Sequence, residues 1–366
     1  MTQLFNFKPD YDSKKPLIIY GFGLNCLWWL RLVIANGIEV SAIFDANPKY
    51  HNTTICGIPV LPPEKMGEFN RDMNVLISPN QGNFTLTKMF NDLGFSKLYY
   101  SCDVDINWIN REIATKERDC EIIATHTEEI TIARSLFKEP ESLEIFDARL
   151  RAYQTGEWDV LEKCYSNGGY YPKSVFNFTS DEVFADCGAF DGGTSFDFRN
   201  KMNALYGHIY AFEPNELQFE VTARSFEFFD LKNAEAHRYA ICDRVGTISF
   251  INDWNGCGSH ISAIGSVEVP CTSLDVFFTE EGRKAPTYIK MDIEGAEVDA
   301  LVGARSIITT NKPKLAICVY HKIEHLWEVP KKIFDFGMTD EYDFYLRHSG
   351  SFIDSVFFAA PKSRRT

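Results

Sequence analysis

The stretch "VFADCGAFDGGTSFDF", residues 183–198, decides the fold. An apolar run ends on Asp186, Gly188, Gly192 and Gly193 follow at close spacing, and a segment at helical pitch begins at once. A strand that passes through a tight glycine turn into a helix start brings backbone N–H groups and the positive end of the helix dipole up to a polar ligand. No Gly-Lys-Ser/Thr closes the turn, so it is not a phosphate-gripping P-loop, and its glycine spacing misses the dinucleotide fingerprint as well. The identity of the ligand therefore rests on the other strand ends.

Composition narrows the choice. The 366 residues, 45% hydrophobic and 24% charged, suffice for two ordinary globular cores. A formal net charge of -14 leaves no basic face for a phosphate backbone, which argues against nucleic acid and favours a small molecule or neutral glycan. The 10 cysteines are scattered, form no C-x-x-C pair and follow no secretory h-region, so they read as reduced, mostly buried thiols of a cytoplasmic protein. No apolar run approaches the roughly 18 to 20 residues that cross a bilayer, so membrane insertion is not expected. A homo-oligomer stays open.

Ahead of the opening stretch, "KKPLIIYGFGLNCLWWLRLVIANGIEVSAIFDANP" reads as strand, glycine turn, helix and strand, ending on Asp45. Gly21 and Gly23 match the first two glycines of G-x-G-x-x-G, Cys26 takes the third place, and Asp45 lies where an acid can meet a ribose. Trp28 and Trp29 read as core or domain-contact residues. Residues 1–115 are thus expected to form a small Rossmann-like domain with a parallel sheet over 15–102. Residues 116–180 carry apolar positions at helical spacing, clearest in "SLEIFDARLRAYQTGEWDVLEKCY", and are expected to be a helical connector that leads into the second domain, 181–366.

In that second domain "EVFADCG", "HIYAFEP", "AEAHRYAICD", "TYIKMDIEG" and "KLAICVYH" read as strands alternating with helices, the pattern of a doubly wound parallel sheet. "YDFYLRHS" and "DSVFFAAP" follow as an antiparallel pair. Five parallel strands and an antiparallel hairpin are the inventory of the class I, S-adenosylmethionine-dependent methyltransferase sheet. Ligands of such sheets bind beyond the carboxyl ends of the strands. Those ends supply Asp186, Glu213 in "AFEPNE", Asp243, Asp292 with Glu294, and His321.

With "DCGAFDGGTS" at the first strand end, "AFEPNE" at the second, "TSLD" (272–275) before "YIKMDIEGAE", and "VYHKIEHLWEVP" ahead of the hairpin, residues 180–360 resemble the FkbM-type S-adenosylmethionine-dependent methyltransferases. The resemblance implies S-adenosylmethionine as cofactor, its methionine part near Gly188, Ala189 and Gly192, its ribose on Glu213 and its adenine near Asp243. Asp186 is then placed to meet the ammonium group. Cys187, Phe190 and Asp191 depart from the smaller or amide residues of many relatives. The N-terminal sheet is similar instead to small nucleotide-sugar-binding Rossmann modules that precede some of these enzymes.

The reaction so implied is transfer of a methyl group to an oxygen, a hydroxyl of a sugar or glycan, with His321 or Asp292 removing the proton. Glu294 and Glu297 read as groups that position the strand-helix turn or a neighbouring cation. "HKIEH" invites a zinc reading through His321 and His325, but the order is not H-E-x-x-H and no metal is expected. Cys257, Ser259 and His260 read as a substrate-facing loop rather than a nucleophilic pair. Two rival functions remain, a nicotinamide-dependent oxidoreductase acting on a nucleotide sugar and a non-catalytic cofactor-binding scaffold. Against the first, the chain's Y-x-x-x-K, Tyr11 to Lys15, precedes the first strand.

Overall fold

The computed structural model describes residues 15–22, 26, 29–30, 33–34, 38–78, 83–100, 116–155, 158–166, 168–251, 260–261, 267–280, 283–349 and 354–364. They fall into two compact units, one ending at Glu117 and the other starting at Arg118. Each has its own sheet. Gly23, Trp28, Cys257 and Ser259 lie outside the described residues.

In the first unit six strands, β1 (Leu17–Tyr20), β2 (Val40–Phe44), β3 (Thr53–Ile55), β4 (Ile58–Leu61), β5 (Asn74–Ile77) and β6 (Leu98–Tyr100), lie in the order β3-β4-β2-β1-β5-β6. All pair in parallel except β3 with β4. Strands buried on both faces need continuous apolar runs, and β1 (LIIY) and β5 (NVLI) are buried along their whole length. Trp29 packs into the same core at 2% exposure. Asp45, just past β2, accepts the Phe22 N–H at 2.5 Å and the Asn47 N–H at 2.7 Å. Both of its oxygens are therefore engaged by backbone.

The second unit opens with helices α2 (Lys116–Thr125), α3 (Thr127–Leu136) and α4 (Pro140–Thr155), α1 (Asn83–Asp92) being in the first. Its main sheet holds β7 (Val183–Cys187), β8 (His208–Phe212), β9 (Ala234–His237), β14 (Tyr288–Met291), β15 (Lys314–Cys318), β16 (Tyr342–His348) and β17 (Ser355–Pro361) in the order β16-β17-β15-β14-β7-β8-β9. Five of these run parallel, and β17 lies antiparallel between β15 and β16. Alternation sorts the side chains. Val183, Ala185 and Cys187 join the core built by α2–α4 and the later helices, whereas Phe184 joins an aromatic core with Tyr288, Phe198, Tyr171 and Phe176. Tyr288 stacks on Phe184 with centroids 4.8 Å apart.

One predicted strand divides. "AEAHRYAICD" does not run to Asp243 as a single strand, because the chain turns after His237, where the Tyr239 N–H donates to the His237 carbonyl at 3.0 Å. Ala240–Ile241 becomes β10 of a second sheet with β11 (Gly246–Ile251), β12 (His260–Ile261) and β13 (Val267–Thr272), in the order β10-β13-β11-β12. No disulfide joins the described cysteines, and Cys26, Cys164, Cys187, Cys242, Cys271 and Cys318 are buried. Among the described residues no helix is long and apolar enough to cross a membrane.

Candidate active site

The adjacent strands β15, β14, β7 and β8 bring their carboxyl ends to one edge of the main sheet. Beyond β7 the backbone bends through positive φ at Gly188 (79°), Phe190 (52°) and Gly192 (82°) before helix α5 (Gly193–Lys201) begins. A Cβ on Gly188 would stand 1.8 Å from the Asp292 carbonyl oxygen, so glycine is what lets the ends of β7 and β14 pass.

Five N–H donors of this turn are engaged by the protein itself, three of them at the end of β8. The Gly188 and Ala189 N–H groups both reach the Phe212 carbonyl, at 2.9 and 3.0 Å, and the Gly192 N–H reaches the Ala189 carbonyl at 2.8 Å. The Phe190 N–H donates to Glu213 Oε2 at 2.9 Å, and the Gly193 N–H to Asp191 Oδ1 at 2.9 Å. What the turn fixes is Glu213. Its other oxygen accepts the Asn215 N–H at 2.9 Å, so the carboxylate at the end of β8 is held from both sides with acceptor capacity left on each oxygen. Burial pushes its carboxyl up to about 7, against the pull of the Asn215 and Phe190 N–H groups and of Lys290.

Asp186 does not reach the crevice. It is 0% exposed, accepts the Ser195 hydroxyl at 2.7 Å, and pairs with Lys290 Nζ at 3.1 Å. Alternation puts it on the face of β7 that also carries Phe184 and the aromatic core. Lys290 Nζ also donates to the Gly188 carbonyl at 2.6 Å. Burial alone would lower the pKa of this ammonium, yet the carboxylates of Asp186 and Asp292 hold it above the ordinary lysine value. Asp243, beyond β10, is an exposed residue paired with Arg244 at 3.0 Å.

Asp292 and His321 do come together, at 3.3 Å between Oδ1 and Nε2. The Asp292 carboxylate also accepts the Tyr170 hydroxyl at 2.7 Å and the Tyr320 hydroxyl at 2.9 Å. Burial works to raise its pKa, but His321, Lys290 and Tyr170 hold it well below the carboxylate range. Around His321 stand Glu297 Oε1, 2.7 Å from Nδ1, and Glu294 Oε2, 3.6 Å from Nε2. Burial would discharge the ring, yet Glu297 and Glu294, with the bond to Asp292, hold its pKa well above the ordinary value. A ring held toward its charged form is disfavoured as the acceptor of a substrate proton. Glu294 differs from its neighbours. Its side chain is 38% exposed, its φ is 54°, and partial burial, with help from the Asp292 and Glu297 charges and against that of His321, raises its carboxyl to about 7. Asp354, ahead of β17, is likewise pushed up to about 6 by burial and by Asp292.

Among the described residues no three His, Cys, Asp or Glu side chains are arranged to hold a metal ion. Lys290, Tyr170 and Tyr320 escaped the sequence reading. Tyr320 neighbours His321 in "VYH", and Lys290 precedes Asp292 by two positions, whereas only the "GGYY" turn signal marked Tyr170.

Residues 186–351 match the family model of the methyltransferase FkbM domain. This stretch is an FkbM methyltransferase domain. No curated protein matches the sequence. The FkbM methyltransferase of Methylobacillus flagellatus KT shares the fold, with a TM-score of 0.55 at 18% identity over 94% of this chain and 90% of that one. A precorrin-6y C5,15-methyltransferase from Geobacter metallireducens gives a TM-score of 0.32 at 13% identity, over 51% of this chain and 83% of that one. TrmK of M. capricolum in complex with S-adenosyl-homocysteine gives 0.31 at 10% identity, over 50% and 63%. The FkbM domain thus spans β7 to the end of β16 and contains Asp186, Glu213, Asp243, Asp292, Glu294, Glu297 and His321.

Proposed function

We propose that the second unit transfers a methyl group from S-adenosylmethionine to an oxygen, a hydroxyl of a sugar or glycan. The observation that carries this reading is the clamped carboxylate of Glu213 at the strand end next to the turn, facing the same edge as Asp292 and Glu294. Its free lone pairs suit two vicinal ribose hydroxyls, and the ordered turn beside it offers a wall of fixed shape for the rest of the cofactor. Bound there, the cofactor supplies an electrophilic methyl carbon on a sulfonium.

The residues of the chain align the acceptor and take its proton. Asp292, oriented by two phenols, accepts a hydrogen bond from the acceptor. Glu294, near neutral in pKa and open to the crevice, takes the proton as the carbon–oxygen bond forms. His321 remains protonated and balances the carboxylates around it.

Calorimetry with S-adenosylhomocysteine tests cofactor binding, and methyl transfer from labelled S-adenosylmethionine to a panel of neutral glycans tests the acceptor. Binding without transfer to any acceptor favours the scaffold reading; absence of binding removes both. For the first unit we propose recognition of a nucleotide-sugar group, tested by titrating the full chain with nucleoside diphosphate sugars.

A further inference from the structure

We infer that Glu297 is a positioning residue, buried out of reach of solvent, that fixes His321 against Asp292 and Glu294. Glu297 is the first residue of helix α8 (Glu297–Val302) and is 0% exposed, so it meets no substrate. Its Oε1 accepts the Ile293 N–H at 3.0 Å and lies 2.7 Å from His321 Nδ1. Its Oε2 lies 3.1 Å from Nδ1 of His325, the first residue of helix α10 (His325–Asp335), itself 1% exposed. One carboxylate oxygen thus ties the turn that carries Glu294 to His321 beyond β15, while the other lies beside the start of α10. With Nδ1 bound on that side, the Nε2 edge of His321 is turned to Asp292 and Glu294.

The charge matters as much as the shape. The groups facing His321 are Asp292 and Glu294 from the turn after β14, Glu297 from α8, Asp354 from the segment before β17, and Tyr320, whose ring centroid is 4.2 Å away. Lys322, the next residue, turns aside to the Gly295 carbonyl at 2.6 Å. Of the carboxylates, Glu297 makes the shortest contact with the ring, so it is the main lock on the ring's proton. The consequence for methyl transfer rests on the reading of the crevice given above. The lock itself does not.

The test follows the His321 ring by NMR in the full chain, without substrate, in the wild type and in E297Q and E297D. E297Q keeps an oxygen for the Ile293 N–H but loses the charge; E297D keeps the charge on a shorter arm. Wild-type His321 should stay protonated at pH 7, E297Q should release the proton at least about one pH unit lower, a tenfold loss of proton affinity, and E297D should fall between. S-Adenosylhomocysteine affinity should stay within about twofold, since the cofactor wall is untouched. A neutral His321 in the wild type, or an unchanged titration in a folded variant, overturns the inference. Failure of the wild type to bind S-adenosylhomocysteine overturns the methyltransferase reading and leaves the His321 result standing.

Discussion

Asp186 and Lys290 are direct partners in the register of β7 and β14, and their charged ends meet 3.1 Å apart with 0% and 1% of the side chains exposed. Such a pair gains little over an apolar substitute, because both charges lose their water; it becomes costly when only one is removed. Lys290→Met should therefore destabilise the protein by about 3 to 5 kcal/mol, and adding Asp186→Asn should recover most of that loss. Urea unfolding of the two variants decides it. Equal destabilisation would show that the Gly188 carbonyl, rather than Asp186, is the partner that counts.

Glu213 should make cofactor affinity depend on pH. Ribose hydroxyls donate to the ionised carboxylate, so binding should strengthen as pH rises through about 7 and be flat in Glu213→Gln. The unliganded protein runs the other way. A carboxyl raised from 4.5 to about 7 stabilises the fold below the lower value and loses that contribution as pH rises through the upper one. Glu213→Ala should weaken S-adenosylhomocysteine by about 1.5 to 3 kcal/mol, the range for hydrogen bonds to a charged group. Calorimetry from acid to alkaline pH reads all three.

Glu294→Gln should lower turnover about a hundredfold or more while cofactor affinity hardly changes. At saturating cofactor, where the titration of Glu213 no longer limits binding, the acid limb of kcat, set by a carboxyl near 7, should vanish with it. Turnover that survives in this variant and collapses in Asp292→Asn would transfer the proton-accepting role to Asp292.

Gly188→Ala should prevent folding or cost several kcal/mol, since its Cβ would overlap the Asp292 carbonyl. Gly57 shares a positive φ, 80°, but has nothing within 4 Å, so Gly57→Ala should cost about 1 to 2 kcal/mol, the backbone strain alone. Thermal melts of the pair separate the clash from the strain. Similar melting points would mean that the strand ends yield.

Strand ends were legible because short, nearly continuous apolar runs bounded by Gly, Pro and Asp leave few other readings, and Glu213, Asp292 and His321 all fall on one edge as the sequence implies. Side-chain partners were not. Whether Asp186 faces crevice or core depends on one step of alternation, and its pairing with Lys290 depends on a register 104 residues distant that no local pattern records. The charged surroundings of His321 escaped for the same reason, since Glu297 reaches the ring across two turns. The break after His237 escaped because β10 is only two residues long, and its pairing with β13 is non-local.

The contact between Gly188 and the Asp292 carbonyl bears on how distant members of such a family are told apart. A glycine kept by a neighbouring strand persists for as long as the sheet does, even in a descendant that has stopped turning over substrate. What Gly188 reports is thus the packing of two strand ends, and a glycine here is by itself no evidence of turnover.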